Sequence, residues 1–181
     1  SEAFDGMVDK IYEAMTKPTH APQIGEVNKV IGLGYRLPKV DISELAGLVE
    51  SIESEAEKHT IELHALADDL MLDVDDLFPI TEVLEILRFA KVSQGEIVLT
   101  ENGKQFALGD IQQKKRLFAS SLLRYVPLAR HIRKVLDERP DQRAKEERFL
   151  RELEDTLSEE AAEEVLATVI DWGRYAEVLA Y

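Results

Sequence analysis

The chain has 181 residues, 45% of them apolar and 32% charged, a net charge of −14 and no cysteine. That size suits one domain or two small ones with a real buried core. The lack of cysteine excludes disulfides, thiolate zinc sites and cysteine nucleophiles. With no apolar run long enough to span a bilayer and no basic-then-apolar leader, the sequence fits a cytoplasmic setting.

Charge is unevenly spread. Residues 1–58 net −5, residues 59–109 net −7, residues 110–151 net +6 and residues 152–181 net −8. A basic middle therefore lies between acidic ends. Such charges either pair across packed helices or meet an acidic partner or phosphates.

From the N-terminus, Phe4, Met7, Val8, Ile11, Tyr12 and Met15 recur at helical spacing, an apolar stripe on a short amphipathic helix. The following segment, with Pro18, Pro22, Pro38, Gly25, Gly32 and Gly34, reads as a linker, with room for a short helix around Gly25–Ile31. Asp41 followed by Glu44 marks a helix start before Leu45–Glu57. Leu63, Leu66, Ala67 and Leu70 share a helix face, predicting a helix at about 62–71. The next is predicted at about 75–89; with Asp75 or Asp76 as its cap, Pro79 falls in the first turn, where a missing N–H is harmless. Residues 90–99 alternate around Gln94–Gly95, a two-stranded ribbon with a tight turn, and Thr100 can cap the next helix. Helix, turn, helix, ribbon, helix is the order of a winged-helix unit.

Two connecting helices follow at about 110–123 and 127–138, parted near Pro127. After the break at Arg139–Pro140–Asp141, helices at about 145–156 and 159–172 lead into the tail RYAEVLAY, whose composition is strand-like. This repeats the first unit's plan, with an incomplete ribbon. The predicted fold class is mostly α with short β ribbons, an α+β chain of tandem winged-helix-like units joined by helices. Its parts are an N-terminal helix and linker (1–38), a first unit (39–109), connecting helices (110–140) and a truncated second unit (141–181).

Most winged helices bind DNA through the outward face of the second helix of the helix-turn-helix. Here Leu77, Ile80, Val83, Leu84 and Leu87 must face inward, leaving Thr81, Glu82, Glu85 and Arg88 outward with Asp75 and Asp76 leading. DNA affinity rests on cations neutralising phosphates, and this surface has the opposite sign. Arg130, Arg133 and Lys134, with Lys114, Lys115 and Arg116, form a basic face elsewhere, but no interleaved aromatics support single-strand stacking. A winged-helix DNA-binding transcriptional regulator stays as the alternative reading.

Gly32-Leu33-Gly34 lacks a third glycine and a strand–helix frame, and no phosphate-binding loop occurs anywhere. His59 and His64 stand five apart and do not share a helix face, so they read as solvated or capping groups rather than metal ligands. Trp172 reads as a core anchor. No nucleophile–base constellation is present, so no catalytic, cofactor or metal residue is assigned.

Three stretches together resemble a known family: LPKVDISELAGLVESI; LADDLMLDVDDLFPITEVLEILRFAKV with IVLTENGKQFA and DIQQKKRLFASSLLR; and VPLARHIRKVLDERP with FLRELEDTLSEEAAEEVLATVIDWGRYAEVLAY. They look like the AAA-associated C-terminal domain carried behind the ATPase of nitrate/sulfonate/bicarbonate-type ABC importers. The resemblance runs from about Leu37 to Tyr181. It implies an ATPase domain earlier in the native polypeptide, holding the ATP and magnesium that this fragment cannot. It also implies a non-catalytic regulatory or interaction role at the inner face of the membrane, without membrane insertion. The implied partners are that ATPase domain and other transporter subunits. A homodimer is a further expectation, with Phe4, Met7, Ile11 and Met15 as the apolar contact and Arg130, Arg133 and Lys134 as the basic one.

Overall fold

The computed structural model describes residues 29–55 and 60–180. The amphipathic stripe Phe4–Met15 and His59 lie outside the described residues. Residues 29–40 form an extended strap, with Ile31, Leu37 and Val40 buried as its anchors. Asp41 then caps α1 (Ile42–Ser54), its carboxylate accepting from Ser43 N at 2.7 Å. Next come β1 (Ile61–Glu62), α2 (Leu63–Asp69), α3 (Val74–Ile86), β2 (Ala90–Ser93) and β3 (Glu96–Leu99).

The three strands form one antiparallel sheet in the order β1-β3-β2. Helix, strand, two helices and a two-stranded ribbon, with the short first strand paired to the far ribbon strand, is the winged-helix arrangement. Gln94 and Gly95 both have positive φ, 53° and 80°, as a type I′ turn requires. The two-residue strand β1 is too short to carry a sequence period; it forms because Ile61 pairs with Ile97, both buried.

The start of α3 differs from the sequence reading. The helix starts at Val74, not after Asp75 or Asp76, so Pro79 sits beyond the first turn. Its missing N–H leaves only the carbonyl of Asp75 without a helical donor, and Asp75 is exposed to water.

Thr100 caps α4 (Glu101–Leu108), its hydroxyl oxygen accepting from Gly103 N at 3.0 Å while its O–H donates to Arg88 O at 2.6 Å. Gly103 is required by close approach: a Cβ there would lie 1.9 Å from the carbonyl oxygen of Phe89. Asp110 and Gln113 close a reciprocal capping box on α5 (Ile111–Tyr125). Pro127 opens α6 (Pro127–Asp137), followed by α7 (Glu146–Leu153) and α8 (Glu159–Tyr175), which Ser158 caps.

An aromatic row carries the core from the ribbon to the C-terminal helices. Phe89 stacks on Phe106 at 4.9 Å, Phe106 meets Phe118 at 6.5 Å, and Phe118 lies edge-on to Trp172 at 6.3 Å and Tyr175 at 5.2 Å. Trp172, 1% exposed, is the core anchor its composition suggested.

No second winged-helix unit is formed among the described residues. Helix α8 runs on through Tyr175, and the tail folds back instead of extending as a strand. Glu177 takes a left-handed φ of 60°, Glu177 N donates to Arg174 O and Val178 N to Gly173 O, the two bonds of a Schellman end. Leu179 then covers Gly173, where a Cβ would lie 2.4 Å from its Cδ1. Among the described residues the result is a mostly helical fold, 62% helix, with one small sheet.

Candidate interaction surface

Helix α3 occupies the place from which a DNA-binding winged helix would read bases. Leu77, Ile80, Val83, Leu84 and Leu87 are buried as expected. Thr81, expected outward, is buried as well; its hydroxyl is satisfied by Phe78 O at 3.0 Å, which removes the penalty for a polar group there.

The rest of the outward face is taken by the chain itself. Tyr35 donates its hydroxyl to the Glu82 carboxylate, and Lys29 Nζ lies 3.8 Å from the same group and 5.6 Å from the Tyr35 ring. Glu85 accepts from Val92 N at 3.1 Å, tying the helix to β2. Arg88, in left-handed conformation at φ 66°, donates to the carbonyls of Lys29, Glu85 and Ile86 at 2.8–3.1 Å. Its guanidinium lies 4.3 Å over the Tyr125 ring.

Burial, and then the bond to Glu82, raises the Tyr35 phenol above its ordinary value. The hydrogen bond with Tyr35, aided by Glu82, raises the Lys29 ammonium. Burial lowers Arg88. The strap is also held at its far end, where Trp172 Nε1 donates to Val40 O at 2.9 Å and Thr156 Oγ1 to Gly34 O at 3.4 Å. Contacts with the strap, β2 and Tyr125 leave Glu82, Glu85 and Arg88, the side chains that would have to enter a groove, half-buried and engaged.

What remains open is the leading tip of α3. Met71 is 92% exposed, Phe78 49% and Leu72 44%, among exposed Asp68, Asp69, Asp73, Asp75 and Asp76. No lysine or arginine occurs between residues 59 and 87.

Of the basic residues singled out from the sequence, Lys114, Lys115 and Arg116 lie on α5, where Lys114 pairs with Glu50 and Lys115 with Glu177, and Arg130, Arg133 and Lys134 lie on α6, where two hold the fold together. Arg130 donates to Leu123 O at 3.0 Å and Arg124 O at 2.9 Å, satisfying the end of α5. Arg133 reaches Val178 O at 2.6 Å and Asp137 at 2.8 Å, which fastens the folded-back tail. With the exposed Lys134 they line a shallow groove of about 330 Å³ together with Leu123, Asp137 and Glu138. Phe4, Met7, Ile11 and Met15 lie outside the described residues.

Chemistry-bearing groups do not gather. His131 Nε2 meets the Glu152 carboxylate at 3.0 Å and its ring lies edge-on to Phe149. Among the described residues no group of three metal-ligating side chains forms and no helix is long and apolar enough to cross a membrane. Gly32 and Gly34 lie in the strap, away from any strand–helix cradle. Sequence reasoning missed Tyr35 and Tyr125; aromatics beside a Pro/Gly-rich segment and at a helix end were the available signal.

The family model of the C-terminal AAA-associated domain matches residues 64–181. No curated protein matches the chain, and no solved structure matches it either.

Proposed function

We propose a function on the premise that this chain belongs to the family of C-terminal AAA-associated domains. It is a non-catalytic accessory domain associated with an ABC-transporter ATPase, and within that role it is a protein-contact module built on a winged-helix frame. The observation that carries this reading is the covered face of α3: Lys29, Tyr35 and Tyr125 occupy the surface that DNA readers leave open. The acidic tip opposes phosphates in any case. The partners are the ATPase domain of the same polypeptide, which holds ATP and magnesium, and other subunits of the transporter. Family membership supports placing the two at the inner face of the membrane, in a transporter of the nitrate/sulfonate/bicarbonate class. Within the domain we divide the chain into strap, winged unit, connecting helices and C-terminal helix pair.

The test is deletion in the parent polypeptide. Removing residues 29–181 should leave nucleotide binding by the ATPase domain intact and change ATP turnover or transport by the assembled complex. Unchanged turnover and transport would refute the accessory role.

A further inference from the structure

The α3 tip and the α6 groove are complementary. The tip presents three apolar side chains, Met71, Leu72 and Phe78, among exposed carboxylates in a stretch of chain, residues 59–87, that carries no lysine or arginine. The groove presents Leu123 and the aliphatic stems of Arg130, Arg133 and Lys134, with Asp137 committed to Arg133 and Glu138 at its edge. Exposed Arg124 and Arg139 flank it in sequence. At about 330 Å³ it has room for a phenyl or thioether side chain.

Met71 is the telling residue. It sits at the left-handed position of a Schellman end, φ 56°, with Met71 N donating to Asp68 O and Leu72 N to Ala67 O. Glycine or asparagine suits that backbone better, and methionine is disfavoured there by about 1–2 kcal/mol. The side chain gains no burial in return. Neither packing nor backbone preference accounts for it, whereas a contact to another molecule does.

The two surfaces cannot meet within one molecule. The tip lies at the N-terminal end of α3, whose 13 residues span roughly 20 Å. The corner between α5 and α6 is fixed near its other end, where Arg88 lies over Tyr125.

We infer that the tip of one copy docks into the α6 groove of a second copy. Apolar insertion supplies most of the contact, and carboxylate–cation pairing at its rim sets register and salt sensitivity. The contact joins different surfaces, so it closes only if it is exchanged reciprocally about a two-fold axis.

Sedimentation velocity from low micromolar to near-millimolar concentration tests this on the whole chain. The wild type should associate, less so as salt is raised. Met71→Gly with Phe78→Ser, and separately Lys134→Glu, should each raise the dissociation constant at least tenfold. Met71→Gly alone should melt at or above the wild-type temperature, which separates loss of contact from loss of fold. A mixture of the tip variant and the groove variant should recover a two-copy species, because one intact tip then meets one intact groove. A wild type that stays monomeric, a tip variant that associates normally, a destabilised Met71→Gly or a mixture that fails to associate would each overturn the inference.

Discussion

Tyr35 and Glu82, 47 residues apart, share a hydrogen bond that lays the strap across the outward face of α3. The bond is charge-assisted and half-buried, with Lys29 close to both partners. It decides which surface of the winged unit is available.

Replacing Tyr35 with phenylalanine should therefore loosen residues 29–37 without unfolding the body. A hydrogen bond to a charged group contributes about 1.5–3 kcal/mol when well shielded, and partial exposure here puts the loss toward the lower end. Hydrogen exchange of the strap amides should quicken while those of α8 stay protected. Equal protection in both proteins would show that the bond does not hold the strap.

The same cluster sets an alkaline limit. Tyr35 and Lys29 both have folded-state values raised above their unfolded ones. Each raised group favours its protonated form, so its contribution is fully present below an unfolded value of about 10 and is lost as pH rises through the folded value. Melting curves should show no pH dependence from this cluster between neutrality and pH of about 9, where its contribution is fully present, and a decline above about 10 that Tyr35→Phe blunts. A decline of the same size in Tyr35→Phe would contradict this assignment.

Gly103→Ala should destabilise the protein by about 1–3 kcal/mol, because the added methyl meets the Phe89 carbonyl and must push α4 from the ribbon. Chemical denaturation gives the value. A neutral substitution would mean that the backbone yields without loss.

Trp172→Phe should cost about 1–3 kcal/mol, since it leaves the buried Val40 carbonyl without its donor and thins the aromatic row. Unfolding in urea checks it, and unchanged stability would show that the strap end is held by its apolar anchors alone.

Much of the fold was legible because local signals agreed with tertiary structure. Thr100 and Asp41 cap where their side chains suggest, Gln94–Gly95 turns the ribbon, and the apolar spacing of α3 marks its buried face. The illegible parts depend on contacts remote in sequence. The strap is ordered by Glu82, Arg88 and Trp172, none of which is visible from its prolines and glycines. The C-terminal turn was misread because its left-handed position holds Glu177, not the glycine that usually announces a Schellman end. Thr81 looks groove-facing because it is polar, yet its own helix satisfies its hydroxyl and it is buried. Arg130 and Arg133 carried the right charge for a binding face, yet both bind backbone carbonyls of this chain.

The central claim, that this winged unit makes protein contacts and does not read DNA, meets its most direct test in one paired titration. The domain is titrated by calorimetry with its own ATPase domain and with a mixed-sequence duplex, both at about 50 mM salt, where phosphate binding is strongest. The account predicts saturable heat with the ATPase domain and none with the duplex. Saturable duplex binding that weakens steeply with salt, with no heat from the ATPase domain, would contradict it.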